Sequence, residues 1–293
     1  MSELNNKSKA ILYMILSSLC FAFMAALVKM SGDIPTVEKT FFRNFVSLIV
    51  SVIVLCKNKE TLWGKKENRK YLVLRGMLGT AGMITYFYCI DNMLLADSSM
   101  LNKVHPFFTV IFAVWFLKEN LSKTQISALI FAFVGILFVV KPKFDMTIIP
   151  ALIGVSSAAF AGGAYTVVRY LGDKEGTEVI VFYFSFISTL IAIVLMPFNY
   201  VPLKLNQLIM LMGSGIFASI AQFSLTISYK YAKASEVSIY NYTNIIFSQI
   251  IAFFIWREMP DIYSLVGYVL IIGSSLLVFF QKDNKEIEPI KSM

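Results

Sequence analysis

Four polar residues, Ser98, Asn102, His105 and Thr109, follow one another at spacings of four, three and four inside a long apolar stretch. This spacing predicts that their side chains share one face of a helix. Polar groups on an apolar helix of membrane-spanning length are costly. They therefore indicate either a cavity for a polar ligand or hydrogen bonds between helices. We call these four residues the first polar stripe.

A second polar stripe consists of Asn241, Asn244 and Ser248. It coincides with the last three positions of the first stripe after a shift of 139 residues. Matching stripes on two related helices exceed what helix contacts alone require, so we expect the stripes to face each other across a substrate cavity. The predicted substrate-binding residues of the stripes are Asn102, His105, Asn241 and Asn244.

His105 is the only histidine in the sequence, and Pro106 follows it. The imidazole could contact the substrate, act as a structural hydrogen-bond donor or relay protons. A metal site would require partner ligands, which the surrounding sequence does not offer. Proline removes one hydrogen bond of a helix, so Pro106 could free a carbonyl group near the cavity or merely shape the packing.

Aromatic residues recur at the depth of the stripes and could form the walls of the cavity. Such rings suit a planar or cationic ligand, although most phenylalanines of the chain are expected to fill the core or face lipid. A tyrosine in the middle of a span is less easily explained as core or lipid-facing filler, because its hydroxyl group needs a hydrogen-bond partner. The predicted wall residues are Phe21, Tyr86, Tyr165 and Tyr240.

Two cationic residues in the predicted spans, Arg43 and Lys103, could hold a substrate carboxylate. They could equally reach the membrane interface or pair with Asp97 or Glu236, and we favour that structural role. Arg75 lies close to the cytoplasmic end of its span, where we interpret it as an anchor.

The elements that position these residues follow from composition. The chain has 293 residues, of which 57% are hydrophobic and only 15% charged, with a mean hydropathy of +0.71. A soluble chain has about 25% charged residues. The composition therefore excludes a soluble or disordered protein and predicts an all-α membrane protein. We predict ten spans, at 10–30, 38–56, 71–90, 97–117, 124–140, 148–170, 179–198, 205–228, 236–256 and 263–281.

The Lys and Arg residues in the loops predict which side of the membrane each loop lies on. With both termini in the cytoplasm, most Lys and Arg residues outside the spans fall on the cytoplasmic side, as membrane proteins prefer. This asymmetry accounts for the formal charge of +8 without nucleic acid as a partner.

The shift of 139 residues also aligns other polar positions, such as Asp97 with Glu236 and Ser99 with Ser238. We infer two five-span repeats, at 1–141 and 142–293. Because five is odd, the second repeat must cross the membrane in the opposite sense. Inverted repeats of this kind are typical of secondary transporters, whose sites lie near the midplane.

The motifs of nucleotide hydrolysis, zinc proteolysis, serine esterases and calcium binding are missing from the sequence. The acidic residues near span ends, Asp91, Asp97 and Glu236, have no histidine at a suitable spacing for acid–base chemistry. We therefore expect no catalytic residues, no metal and no cofactor.

The sequence resembles the EamA family of the drug/metabolite transporter superfamily. The likeness spans nearly the whole chain and is carried by FFRNF at 41–45, by 75–122 and by YNYTNIIFSQIIAFFIWREMPD at 240–261. It implies ten helices, a central cavity and transport of small organic metabolites, with a loose similarity to S-adenosylmethionine and riboflavin carriers. Lys118 and Arg257 stand where the family often has glycine.

These observations predict a secondary-active permease in a bacterial plasma membrane. We expect it to move an amino acid derivative, a nucleoside-like or an S-adenosylmethionine-like compound by alternating access, with the proton as a candidate coupling ion. It would act as a monomer or homodimer in the lipid bilayer. An uncoupled facilitator or channel is the alternative, and a membrane enzyme or a receptor is less favoured.

Overall fold

The computed structural model describes residues 2–58, 61–117, 123–141, 148–171, 174–198, 200–231 and 238–287, which form helices and connecting turns without any strand. Six helical segments are long and apolar enough to cross a membrane, and shorter apolar helices cover 126–140 and 262–274. The α-helices are α1 (Ser2–Met30), α2 (Thr36–Asn58), α3 (Arg69–Asn92), α4 (Leu95–Asn102), α5 (His105–Leu117), α6 (Lys123–Val140), α7 (Ile149–Leu171), α8 (Thr177–Leu195), α9 (Leu205–Tyr231), α10 (Thr243–Trp256) and α11 (Ile262–Ile287).

The fourth predicted span is interrupted in its first half. Helix α4 ends at Asn102, and α5 begins at His105 after a turn. Pro106 has no amide hydrogen to donate to the carbonyl of Asn102, and proline also disfavours helical geometry in the preceding residue. The predicted span over 97–117 therefore consists of two helices, separated by a turn at residues 103 and 104.

The ninth predicted span is irregular at the corresponding place. Residues Ser238–Tyr242 form a 3-10 helix, and the α-helical part starts only at Thr243. Residues 236 and 237, where this span was predicted to begin, lie outside the described residues. Both repeat-related spans thus change their backbone geometry beside the polar stripes.

The two halves of the chain pack against each other instead of forming separate bundles. The most extensive helix contacts are α1 with α9, α3 with α7, α6 with α11 and α2 with α8, and each joins the first half to the second. The first two contacts are exchanged by the repeat. At one of them, Ser17 Oγ donates to the carbonyl of Ala221 over 2.8 Å, and at the other Gly82 lies against the carbonyl of Ser157.

Candidate functional site

A cavity lies where the two halves meet, bordered by α1, α2, α3, α7, α8, α9 and the two interrupted spans. Its water-accessible space is about 130 Å³, well above the roughly 10–15 Å³ that a single water molecule requires. The cavity can therefore hold a small organic molecule or a cluster of waters.

The four stripe residues predicted to bind substrate all line this cavity. Asn102 ends α4 and His105 begins α5, while Asn241 and Asn244 lie at the 3-10 turn before α10 and in its first turn. The repeat relates Asn102 to Asn241 and His105 to Asn244. Equivalent positions of the two halves thus meet at one cavity.

The amides also hold helices together, so the two interpretations of the stripes are not exclusive. Asn244 Nδ2 donates to the carbonyl of Ser18 over 2.9 Å, and Asn241 Oδ1 accepts a hydrogen bond of the same length from Lys103 Nζ. These contacts fix the amide planes of both residues. Their orientation at the cavity wall is set before any ligand arrives.

The remaining stripe residues make contacts between or within helices and are not among the lining residues. Ser99 Oγ donates to Ser248 Oγ over 3.1 Å, which joins α4 to α10. Thr109 Oγ1 donates to the carbonyls of His105 and Gly162. Ser98 Oγ donates to the carbonyl of Leu95 within its own helix.

His105 is placed by a close contact between α5 and α7. A methyl group at Gly162 would lie within 3.0 Å of backbone atoms of His105 and Thr109, so only glycine allows this approach. The imidazole lies 4.7 Å from the Tyr165 ring, measured between centroids. Its Nδ1 is buried and has no hydrogen-bond partner among the described residues, which leaves it available to a ligand.

Three of the four predicted wall aromatics line the cavity. Phe21 of α1, Tyr86 of α3 and Tyr165 of α7 do so, and the Tyr86 hydroxyl lies 3.5 Å from Ser99 Oγ. Tyr240 is not among the lining residues. It packs against the cluster of Ala10, Met14 and Leu225.

Arg43 and Lys103 both line the cavity, and neither reaches a carboxylate among the described residues. Asp97, one predicted partner, accepts a hydrogen bond of 2.6 Å from the Tyr268 hydroxyl instead. Glu236, the other, lies outside the described residues. The side chains of Arg43 and Lys103 are 4% and 8% exposed, so they are buried cations and do not extend to an interface.

Arg75 was interpreted as an anchor at the membrane surface, and that interpretation is wrong. Its side chain is 7% exposed and lines the cavity, with its guanidinium carbon 4.5 Å from the centre of the Phe184 ring. The sequence contained a signal for this placement. Arg75, Gly79, Gly82 and Tyr86 repeat the four, three, four spacing of the first polar stripe, and all four line the cavity.

Sequence reasoning also missed several other lining residues, namely Gln222 of α9, Phe184 of α8, Met24, Met83, Phe87 and Leu225. Apolar residues and isolated amides in a chain of this composition carry no distinguishing spacing. Across the described residues, no group of three His, Cys, Asp or Glu side chains could hold a metal ion.

Comparison with known proteins identifies the family of this fold. The model of the EamA-like transporter family matches residues 8–141 and again 148–280. The pseudopaline exporter CntI of Pseudomonas aeruginosa is 32% identical over 265 residues, covering 89% of this chain and 93% of the relative. The S-adenosylmethionine uptake transporter of Rickettsia bellii is 28% identical, with 84% of each chain covered.

A human relative and a solved structure agree with this placement. Solute carrier family 35 member G1 of Homo sapiens is 25% identical over 90% of this chain and 77% of its own length. A crystal structure at 16% identity superimposes with a TM-score of 0.68 over 95% of this chain and 99% of its own, which supports the fold alone. The chain belongs to the EamA-like transporter family and is a multi-pass membrane transporter of small metabolites.

Proposed function

We propose that this chain is a secondary-active transporter that moves its metabolite by alternating access through the cavity between the two halves. One observation carries the proposal: repeat-related residues, Asn102 with Asn241 and His105 with Asn244, meet at that cavity. In transporters built from inverted repeats, the substrate binds where the repeats meet, and one repeat rocks against the other. The interrupted spans beside the stripes are a further feature of such sites.

The proposal includes the finer architecture. Ten spans form two inverted five-span repeats at 1–141 and 142–293, in a bacterial plasma membrane with both termini in the cytoplasm. The six long apolar helices and the helix contacts exchanged by the repeat support this arrangement. Cysteine labelling from outside the cell tests the orientation. External labelling of Lys66→Cys would contradict it.

The proposed substrate-binding residues are Asn102, His105, Asn241, Asn244, Phe21, Tyr86 and Tyr165, with Arg43 and Lys103 as candidates for binding a carboxylate. Their position on the cavity wall supports each assignment. We leave Tyr240 out of this set because it is not among the described residues that line the cavity.

The proposal includes three candidate substrate classes and both directions of transport. The named bacterial relatives include one exporter and one uptake carrier, and their substrates differ. Candidates are amino acid derivatives, nucleoside-like compounds and S-adenosylmethionine-like compounds. We propose that the chain has no enzymatic activity of its own and acts as a monomer or homodimer, which light scattering of the purified protein in detergent would distinguish.

Accumulation in proteoliposomes separates coupled transport from an uncoupled facilitator. A coupled carrier accumulates substrate above its external concentration when a proton gradient is imposed, whereas a facilitator only equilibrates it. The variant His105→Gln tests the role of the imidazole, whose Nδ1 has no hydrogen-bond partner in the part of the chain that the structure describes. If His105 only contacts substrate, the variant keeps a weakened, gradient-driven uptake. If His105 relays protons, accumulation is lost while exchange of substrate for substrate survives.

A further inference from the structure

The cavity contains an uncompensated positive charge. Arg43, Arg75 and Lys103 all line it. The described residues of the lining include no aspartate or glutamate. None of the three cations forms a salt bridge within the described part of the chain. Buried charges in membrane proteins are normally paired, so an unpaired set at a cavity indicates that the partner is the ligand.

The guanidinium groups of two of these cations lie near the same aromatic ring. The guanidinium carbons of Arg43 and Arg75 lie 5.5 Å and 4.5 Å from the centre of the Phe184 ring. Arg43 Nε and both Nε and Nη1 of Arg75 are buried, and the described residues provide no hydrogen-bond partner for them. Three nitrogen atoms, which together carry four N–H groups, are thus free to bind an anion, and both guanidinium groups keep their positive charge because they do not lose their proton in proteins.

Neighbouring residues hold both guanidinium groups in place. A methyl group at Gly79 would overlap Arg75 Nη1 and would lie 2.8 Å from the Phe184 ring. Glycine at this position therefore makes room for the guanidinium group against the ring. Arg43 is held from the other direction, since its Nη1 donates to Asn44 Oδ1 over 2.6 Å.

Lys103 forms a second, separate positive centre. Its Nζ lies 5.8 Å from the centre of the Phe21 ring and donates to Asn241 Oδ1 over 2.9 Å. Among the described residues, Asn241 is the one acceptor of Lys103, which leaves further ammonium protons for a ligand because an ammonium group has three donors. The lysine is thus oriented by the second half of the chain while its charge remains unpaired.

Resting on the transport function proposed above, we infer that the substrate is an organic anion with at least two carboxylates. One carboxylate binds the Arg43–Arg75 pair beside Phe184, and another binds Lys103 beside Phe21. Cationic metabolites such as sulfonium compounds are disfavoured by the same charges, because like charges repel strongly in a cavity of low dielectric constant. Asn102, Asn244 and His105 then bind the polar parts between the carboxylates.

A series of five-carbon probes tests the charge requirement at constant shape. The purified protein in detergent is titrated with glutarate, its monoamide glutaramate, its diamide glutaramide and the diamine pentane-1,5-diamine, at constant ionic strength. Ligand binding to the folded state raises the apparent melting temperature. We expect glutarate to raise it most, glutaramate less, and glutaramide and the diamine not at all. An equal shift, or none, for glutarate and glutaramide overturns the inference.

Substitution of the cationic residues shows whether they bind the glutarate carboxylates. In Arg75→Gln and Lys103→Gln, the dissociation constant for glutarate should rise roughly 10–150-fold, as expected for a lost hydrogen bond to a charged group. The ligand-free melting temperature should stay constant or rise, because each change removes an unpaired buried cation. A purely structural role predicts the opposite: a lower melting temperature without ligand and the same response to glutarate.

Three further outcomes distinguish a failure of this inference from a failure of the proposed function. If inorganic phosphate produces the same Arg75-dependent shift as glutarate, the carboxylate assignment is overturned in favour of phosphoryl compounds. If S-adenosylmethionine exchanges in proteoliposomes through a site that depends on Asn244 but not on Arg75, the anion inference fails while the transport site stands. If cavity variants change neither binding nor exchange, the proposed function itself fails.

Discussion

Lys29, in the last turn of α1, donates a hydrogen bond from Nζ to Glu258 Oε1, just beyond α10. The same ammonium group donates to the carbonyl of Met93 over 3.0 Å, and Glu258 Oε2 accepts from the amide of Leu95 at the start of α4. The side chains of Lys29 and Glu258 are 13% and 17% exposed. This ion pair therefore ties the first half to the second at one end of the cavity.

Glu258→Gln should weaken the interaction with Lys29 and make the cavity more accessible from that end. A hydrogen bond to a charged group contributes about 1.5–3 kcal/mol, so the open population should rise by roughly one to two orders of magnitude. The measurement is the rate of maleimide labelling of Ala164→Cys, a cavity position, in a background without other cysteines. Asp261→Asn is the matched control, because its ion pair with Lys141 is more exposed, at 50% and 29%. Equal labelling rates in both variants would show that Glu258 does not hold the cavity closed.

The Lys141–Asp261 pair predicts a small dependence of stability on pH. A hydrogen bond from Lys141 lowers the pKa of the Asp261 carboxyl below its ordinary value of 3.8. The contribution to stability is therefore full above pH 3.8 and is lost as the pH falls through the lower pKa of the folded state. Because the pair is exposed, it amounts to less than about 1 kcal/mol.

Melting curves of wild type and Asp261→Asn measure this effect. The wild type should be slightly more stable at neutral pH, and the difference should shrink below about pH 4. A difference that persists at pH 2 would contradict the assignment to carboxylate charge.

Arg257→Gly should stabilise the protein. Arg257 ends α10 with a φ of 56°, in the left-handed region, and the amide of Glu258 donates back to the carbonyl of Ala252. A side chain in this conformation costs about 1–2 kcal/mol, part of which glycine loses again through its greater freedom in the unfolded chain. We expect a net gain of about 0.5–1 kcal/mol, visible as a higher melting temperature. A loss of stability would show that the arginine side chain makes a contact that outweighs the strain.

The helical two-repeat fold could be predicted from the sequence because the repeat and the apolar segments each extend over many residues. The break at residues 103 and 104 was harder to place. The sequence indicated that Pro106 removes one hydrogen bond of the helix, but not that the backbone hydrogen bonds of Val104 and Phe107 would form a turn there. Family resemblance pointed to Arg257 as a departure from glycine. The left-handed backbone now gives that departure a physical meaning.

The candidate site was predicted where residues repeat and missed where they do not. Asn102, His105, Asn241 and Asn244 line the cavity because the repeat carries their helix faces to one place. Arg75 was assigned to the surface by its distance from the predicted span end, yet α3 begins at Arg69, and the face shared with Gly79 turns the guanidinium inward. Position along a span is thus a weaker guide than helical face.

The stripe amides should matter for binding more than for folding. Hydrogen bonds between membrane helices average only about 0.6 kcal/mol, so Asn102→Ala and Asn244→Ala should fold and lose little thermal stability. Asn241→Ala should cost more, because it also removes the acceptor of the buried Lys103 ammonium. Loss of a ligand contact in a desolvated cavity costs about 1–3 kcal/mol, which corresponds to a roughly 5–150-fold weaker affinity. Asn244 is the most informative of the three, because it lines the cavity and also donates to the carbonyl of Ser18.

Ser248→Ala is the matched control for Asn244→Ala. Ser248 lies one turn further along α10 and accepts a hydrogen bond from Ser99, but it is not among the residues lining the cavity. Both variants lose one contact between helices, and only Asn244→Ala also loses a group on the cavity wall. Substrate affinity, measured by the thermal response to the best ligand of the probe series, should therefore fall in Asn244→Ala and stay unchanged in Ser248→Ala. If both variants bind ligand as the wild type does, the stripes only join helices, and the binding groups are Arg43, Arg75, Lys103 and the cavity tyrosines.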